Sequence, residues 1–267
     1  MLRYDAAWLL EQYADETPAL PGVPYALIGR APTYAIERES GAFQLTDIAG
    51  VQPRLDYDET VVRLARFDPP TLHVQPCPYS LGVKSNYAMD GEGELRGMLR
   101  ADYGRRLPPL SDMRLSNSIG TAIVIFDREG RPYLPRRAPR QSVFPGAYHC
   151  TASGEAVWHQ DLTFEALFTA NIVRELEEEV GLTNADLDWI RPIAFCREFL
   201  RAGKPQFFFA GQTSLTETQL TERRRAAIVR QLAAGRQEVL DDVAHMVTPA
   251  DCTIECWANL ALATWHR

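Results

Sequence analysis

The feature that most constrains the fold of this chain is an amphipathic stretch over residues 163–180, followed directly by Gly181. Apolar residues recur along it at spacings of one and four, which predicts one long helix with a buried face. They are Leu167, Phe168, Ile172, Leu176 and Val180. Glycine suits the left-handed position that closes a helix, so the helix is predicted to end at Val180. Such a helix needs an apolar surface on which to pack.

Strand-like runs on both sides of this helix predict that surface. The first run is nearly continuously apolar, as expected for a strand buried on both faces, and the acidic-glycine turn after it predicts a hairpin with the second. Gly154 is expected to stop the third. The predicted strands cover residues 117–127, 131–137, 147–153, 189–198, 205–213 and 239–247. Further helices are predicted over 94–103 and 216–233 and from about Pro249.

Length and composition predict a globular protein with a sizeable core. The chain has 267 residues, of which 46% are apolar and 10% aromatic, which excludes disorder for most of it. A basic, proline-rich stretch over 104–112 predicts a domain boundary, with a β-rich accessory domain at 1–115 and a second domain at 116–267. The strand-like runs of the accessory domain cover 24–30, 32–39, 42–48 and 60–67. The accessory part could set substrate choice, build a homodimer interface or only extend the core.

Charge and cysteine content narrow the partners and the compartment. A formal net charge of −7 argues against a nucleic-acid polymer as partner, because phosphate neutralisation needs clustered Lys and Arg. A small phosphorylated ligand is still compatible with it. Five cysteines in a chain of this length predict reduced thiols, and Cys252 and Cys256 lack a second metal-ligating pair. With no membrane span and no signal peptide evident, a cytoplasmic protein is expected.

Three glutamates at the end of the amphipathic helix carry the strongest chemical signal. Glu175, Glu178 and Glu179 lie three and four residues apart and therefore share one face, while Glu177 points away. Their mutual repulsion, and the negative end of the helix dipole, call for a compensating cation. A hard divalent ion such as Mg²⁺ prefers oxygen ligands. The alternative is a solvated acidic face.

The stretch RELEEEVGL over residues 174–182 resembles the second half of the Nudix box at every specified position. The resemblance covers roughly residues 116–267. It implies a Nudix-like α/β/α sandwich with a mixed sheet, so that the whole chain is α+β. It further implies Mg²⁺- or Mn²⁺-dependent hydrolysis of a pyrophosphate bond in a nucleoside diphosphate linked to another group, so a small phosphoanhydride is the expected substrate.

The same resemblance implies roles for individual residues. Glu178 and Glu179 would be the principal metal ligands and Glu175 a further one, while Arg174 would hold one of these glutamates in place. The metal would activate a water for attack on phosphorus. A carboxylate would accept the proton.

The first half of the box departs from the family pattern. Ala166 stands where a glutamate is expected, and Glu165 is one residue off. Gly154 lies six residues too early, which an insertion after it would reconcile, and its carbonyl could then still face the metal. Glu155 could stand in for the missing glutamate. The departure supports a second hypothesis, a Nudix-fold protein that binds or senses a nucleotide without cutting it.

Three arginines are candidate substrate ligands. Arg136 and Arg137 end the second hairpin strand, where the family often brings arginine towards the substrate. Strand alternation points only one of them inward, and a surface role is the alternative for either. Arg197 ends a later strand, and the alternative there is a strand-end ion pair.

Four further residues complete the candidates. Glu198 could be a catalytic base or a metal ligand, and Glu238, just before the last strand, a metal ligand. His149 and Cys150 resemble a pair in the isopentenyl diphosphate isomerases, which share the Nudix fold, so an isomerase is a third hypothesis. A partly buried strand pair is the alternative for these two residues.

Overall fold

A five-stranded mixed sheet forms the centre of this computed structural model, which describes residues 5–30, 33–46, 58–90, 94–141 and 144–266. The helices are α1 (Ala6–Gln12), α2 (Tyr79–Lys84), α3 (Glu94–Tyr103), α4 (Ala170–Val180), α5 (Glu217–Ala233) and α6 (Ile254–Trp265). The strands are β1 (Tyr25–Gly29), β2 (Ala35–Arg38), β3 (Thr60–Asp68), β4 (Thr71–Pro78), β5 (Gly120–Phe126), β6 (Leu134–Arg137), β7 (Ala152–Glu155), β8 (Trp189–Glu198), β9 (Lys204–Gln212) and β10 (Val239–Ala244).

The strand order of the central sheet is β1-β8-β9-β5-β7. Strands β5 and β9 pair in parallel and the other neighbours are antiparallel. A three-stranded sheet, β2-β4-β3, and a two-stranded one, β10-β6, contain the other strands of the described residues. Mixed sheets together with helices confirm the α+β class.

The two faces of the central sheet pack against different helices. Ile123 and Phe207 lie in one core cluster with Leu176 of α4, while Val124 and Phe208 lie in another with residues of α6 and α1. Alternate residues of one strand therefore serve opposite faces, as the pleat requires. Helices on both faces of a mixed sheet are compatible with the Nudix-like sandwich that the sequence predicts.

The predicted helix over 163–180 has two parts. A π-helical turn at Glu165–Thr169 precedes α4, and such turns are insertions within helices. The predicted end is confirmed: Gly181 has φ 76°, and its N–H bonds the carbonyls of Glu177 and Leu176. Glu165 is exposed in the π turn.

Three strand predictions differ from the structure. Gly154 does not stop its strand but lies inside β7, where it pairs with Thr121 of β5. The hairpin from β5 lasts only as far as a bond from the Tyr133 N–H to the Ile125 carbonyl, because the following residues, β6, pair with β10 instead. The strand predicted over 42–48 is not formed at 42–46, and 47–48 lie outside the described residues.

The first 115 residues contribute to the central sheet. Strand β1 pairs with β8, with Tyr25 opposite Glu198. Leu9 and Tyr25 are fully buried in the core cluster that also contains Phe208 and Leu262. The boundary at residue 115 therefore stays a prediction, since the residues on its two sides share a sheet and a core.

All five cysteines are buried thiols without a disulfide, as the composition predicts. No helix in the described ranges has both the length and the apolar character needed to span a lipid bilayer.

Candidate functional site

A cleft of about 710 Å³ opens where the acidic face of α4 meets β7. Residues from both sides of the predicted boundary line it, including Glu59 and Tyr87 from the first 115. Nine of the residues that the sequence singles out are among its lining: Arg137, His149, Gly154, Glu155, Arg174, Glu175, Glu178, Glu179 and Glu238. The structure thus brings together most of the predicted site.

Helix α4 presents its glutamates as the spacing predicts. Glu175 and Glu178 border the cleft and Glu179 is buried beside it, whereas Glu177 is exposed and outside it. Arg174 connects two of them: its guanidinium nitrogens lie 2.6 Å from Glu175 Oε1 and 2.9 Å from Glu178 Oε1. The arginine therefore holds the orientation of these carboxylates, as the resemblance implied.

The position of Gly154 explains why a glycine stands inside β7. A Cβ there would lie 2.4 Å from Glu175 Oε1 and 2.5 Å from its Cδ, closer than non-bonded atoms approach. The carbonyl of Gly154 also accepts a bond of 3.2 Å from the Thr121 hydroxyl. A residue without a side chain is therefore what lets Glu175 lie against the strand.

Burial and like charges act together on the cleft carboxylates. Burial raises the pKa of Glu175 to about 8; Arg174 opposes this rise, and nearby Glu178 and Glu238 add to it. Burial, followed by the charges of Glu238 and Glu175, also raises the pKa of Glu179 well above its ordinary value. Glu175, Glu178, Glu179 and Glu238 together form a carboxylate wall of the cleft. This wall is short of compensating positive charge, which a bound cation would supply.

The donor chemistry of this wall fits a hard divalent cation. Four of the carboxylates that line the cleft, those of Glu175, Glu178, Glu179 and Glu238, lie with Gly154 along it, and Mg²⁺ takes carboxylate and carbonyl oxygens as ligands. As the side chains of the described residues stand, no three His, Cys, Asp or Glu converge as a metal-binding group. Arg174 accounts for part of this, since it engages both Glu175 and Glu178. A metal would have to displace one of these bonds.

The two neighbouring arginines of β6 lie on opposite sides of the strand, as strand alternation predicts. Arg137 lines the cleft, where its charge partly offsets that of Glu179. Arg136 is exposed on the other side, donating to the Gly146 carbonyl at 2.8 Å and lying 3.3 Å from Asp242. Only Arg137 is placed to meet a substrate in the cleft.

Arg197 and Glu198 lie outside the described lining of the cleft. Arg197 donates to the carbonyls of Gly203 at 2.9 Å and Pro108 at 2.6 Å, and burial lowers its pKa to about 10. Glu198 is buried, 3.8 Å from Arg201. Both side chains have structural partners where they lie: Arg197 bonds two backbone carbonyls, and Glu198 lies near Arg201.

Among the cleft residues to which the sequence analysis assigned no role are Lys204, Arg201 and Tyr87. Lys204 Nζ lies 2.9 Å from Glu155 Oε1, and the Tyr87 hydroxyl also bonds Glu155. Glu155 is thus engaged by Lys204 and Tyr87. A signal was present in the sequence, because two cations, Arg201 and Lys204, flank the turn between β8 and β9.

His149 and Cys150 precede β7, which begins only at Ala152, so the strand predicted from residue 147 starts later, and one of these two residues lines the cleft while the other does not. Cys150 is fully buried, accepts a bond of 3.7 Å from Asn259 and is outside the described cleft lining. His149 lines the cleft, with its ring nitrogens 2.7 Å from Ser153 Oγ and 2.6 Å from Thr253 Oγ1. The isomerase hypothesis needs an accessible thiol, and Cys150 does not offer one.

Comparisons with known proteins give structural likenesses at low similarity. No family model matches the chain, and no curated protein does. A solved structure from Deinococcus radiodurans, DR0079, is similar at 19% identity and a TM-score of 0.30, over 46% of this chain and 77% of that one. A MutT protein from Methanosarcina mazei is similar at 17% identity and a TM-score of 0.24, over 37% and 64%. At these TM-scores neither likeness carries an argument about activity.

Proposed function

We propose that this protein is a divalent-metal-dependent hydrolase of the Nudix type, which cleaves the pyrophosphate bond of a nucleoside diphosphate linked to another group. One observation carries the proposal: a wall of four carboxylates and a set of cationic side chains border the same cleft. The carboxylates are those of Glu175, Glu178, Glu179 and Glu238, and the cations are Arg137, Arg201, Lys204 and Arg236.

The two sets of charges have complementary roles in this proposal. Glu178, Glu179 and Glu175 would hold Mg²⁺ or Mn²⁺, with the Gly154 carbonyl and Glu238 beside them. When bound, the metal lowers the pKa of a water and neutralises phosphate charge. The cations attract the phosphate oxygens into the cleft. One of the cleft carboxylates accepts the proton of the attacking water.

A second candidate is a nucleotide-binding or regulatory protein on the same fold. Two observations favour it: Ala166 replaces a glutamate of the family pattern, and Arg174 already engages both Glu175 and Glu178. Such a protein would bind a nucleotide in the cleft and leave it intact.

The two candidates differ in turnover. The purified protein is incubated with nucleotide sugars, dinucleoside polyphosphates, NADH and nucleoside triphosphates, with Mg²⁺, with Mn²⁺ and with EDTA. Released phosphate and nucleoside monophosphate are measured. Hydrolysis of a panel member with either metal and none with EDTA is expected. Binding without any cleavage would replace the hydrolase with the second candidate.

A further inference from the structure

Two buried cations lie in the cleft apart from the carboxylates of α4. Lys204 is 2% exposed and Arg201 5% exposed, and both line the cleft. Long cationic side chains normally keep their charged ends in water, and burying a charge costs free energy even when it is paired. A position that keeps two such groups buried at a cleft invites a functional explanation.

The ammonium of Lys204 has hydrogen-bonding capacity left. It carries three N–H donors, and within the described chain Glu155, at 2.9 Å, is its hydrogen-bonding partner. A Cβ at Gly120 would lie 2.6 Å from Lys204 Nζ, so the glycine of the neighbouring strand is what lets this nitrogen lie at the cleft. Donors that Glu155 does not use are available to a ligand in the cleft.

Arg201 and Tyr87 lie beside this ammonium. The guanidinium carbon of Arg201 lies 4.1 Å from the centre of the Tyr87 ring, and Lys204 Nζ lies 5.6 Å from it. The turn between β8 and β9 sets both cations in place through two left-handed residues, Ala202 at φ 51° and Gly203 at φ 86°. Since non-glycine residues rarely adopt such a φ, the turn is built to a specific shape.

A further carboxylate of the cleft, that of Glu255, bonds another side chain. Glu255 lines the same cleft and accepts a bond of 2.8 Å from the Gln206 side-chain amide. Burial raises its pKa to about 7, with the charge of Glu198 adding to the rise. The charges of Lys204 and Arg201 oppose this rise in the pKa of Glu255.

We propose that Lys204, Arg201 and Tyr87 form a subsite for a second anionic group, a phosphate or a carboxylate, on the part of the substrate beyond the cleaved phosphoanhydride. Lys and Arg bind both kinds of oxyanion through charge-assisted hydrogen bonds. The inference rests on the proposed function and names its substrate class: nucleotides whose far group carries its own negative charge.

Two matched ligand pairs test the subsite by equilibrium binding. UDP-glucuronate and UDP-glucose differ by a carboxylate in place of a hydroxymethyl group, and ATP and ADP differ by one phosphate. Calorimetry with Ca²⁺ present is expected to give at least tenfold tighter binding of the anionic member in one pair. The pair that shows the preference identifies carboxylate or phosphate as the source. Equal affinities in both pairs, or no binding of any of the four, would overturn the subsite.

Three variants separate binding from a structural role of Lys204. K204M is expected to remove the preference, but it also leaves Glu155 buried without a cation. The double variant K204M/E155Q restores charge balance, so it should regain stability and still lack the preference. K84M, which changes a lysine in the last turn of α2 outside the described cleft lining, should keep it. A double variant that prefers the anionic ligand as the wild type does would refute the role of Lys204.

Hydrolysis assays with the same ligands keep the two proposals apart. A binding preference without cleavage of any nucleotide would refute the hydrolase and support the subsite. Cleavage with equal kcat/KM for the members of each pair would refute the subsite and leave the hydrolase in place.

Discussion

Glu175 is held in the cleft by several neighbours at once. Arg174 bonds it, Gly154 makes room for it, and burial raises its pKa to about 8. Each of these contacts fixes where its carboxylate can lie. Changes at this residue or at its neighbours should therefore affect the chemistry of the cleft more than the stability of the fold.

Replacing Gly154 with alanine tests this positioning. The new methyl group would displace Glu175 without meeting any backbone atom among its three nearest neighbours, so the melting temperature should change little. A misplacement of about 1 Å at a reacting group can cost on the order of 10²-fold in rate, and kcat/KM should fall by about that factor. G97A, whose Cβ would meet nothing within 4 Å, is the control. An unchanged rate in G154A would contradict the assigned position of Glu175.

The raised pKa of Glu175 predicts how stability depends on pH in metal-free protein. Between its ordinary pKa of 4.5 and the folded value of about 8, the folded state holds a proton that the unfolded state has lost. The free energy of unfolding must therefore fall as pH rises through this range. Glu179, whose pKa is also raised, acts in the same direction.

The measurement is the melting temperature in EDTA at pH 7 and pH 8. Burial lowers the pKa of His149 in the folded state well below its ordinary value of 6.5. His149 therefore changes the stability only at a pH below this window. The wild type should melt lower at pH 8, and E175Q should show a smaller decrease, whereas E177Q should match the wild type. A melting temperature that rises from pH 7 to pH 8, or an equal decrease in E175Q and the wild type, would show that Glu175 does not hold this proton in the folded state.

At the scale of elements, the end of α4 depends on one glycine. Gly181 has φ 76°, and a Cβ there would lie 2.6 Å from the backbone carbonyl oxygen of Arg223 in α5. Backbone atoms cannot move aside as a flexible side chain can. Gly181 therefore fixes both the end of the carboxylate-bearing helix and its packing against α5.

Replacing Gly181 with alanine should destabilise the protein by about 2–4 kcal/mol, from left-handed strain plus the clash with α5. Gly235 offers a matched control, since it has φ 74° and nothing within 4 Å of its Cβ. G235A should cost only the strain, about 1 kcal/mol. Chemical denaturation of both variants gives the comparison. Equal losses would mean that the contact with Arg223 contributes nothing.

Elements defined by local pattern could be predicted from the sequence, and pairing partners could not. The bounds of α3 and β8 and the left-handed Gly181 follow from periodicity and glycine chemistry within a few residues of chain. Strand β6 pairs with β10 about a hundred residues later, and no local pattern records such a choice. The π turn at Glu165–Thr169 also escapes a strict 3.6-residue period.

The residues of the candidate site also fall into two groups, those that a local pattern predicts and those that only the fold brings together. The carboxylates of α4 share one helix, so their spacing alone predicts their convergence. Lys204, Arg201 and Tyr87 come from a turn and from a segment more than a hundred residues earlier, so only the fold brings them together. Arg197 and Glu198 were plausible candidates by position, but their burial and bonding partners depend on strands that pair across the sheet.

At the scale of the whole molecule, the first 115 residues are predicted to be inseparable from the rest. A fragment of residues 116–267 would lack β1, leaving the edge of β8 unpaired. It would also lack Leu9 and Tyr25, which are fully buried in the shared core. Circular dichroism should show no cooperative melt at the full-length temperature.

A variant of the full chain makes the same test without truncation. Y25A should destabilise the protein by about 3–5 kcal/mol, the usual cost of removing a fully buried aromatic ring. A fragment that melts like the intact protein, together with a mild effect of Y25A, would instead support an independent domain that begins at residue 116.

Part of the net charge of −7 is concentrated in the cleft. The carboxylates of α4 and Glu238 form a negative wall that must be neutralised before a phosphate can approach. In the proposed function, these carboxylates hold the cation that makes hydrolysis possible.

The most direct test compares two glutamates of the same helix. E178Q changes a carboxylate that borders the cleft, and E177Q changes an exposed one outside it. With Mg²⁺ and the best substrate of the panel, kcat/KM should fall about 100-fold or more in E178Q, since a bound metal contributes several kcal/mol to such reactions. E177Q should match the wild type. Equal hydrolysis by E178Q and the wild type would contradict this role of the carboxylates.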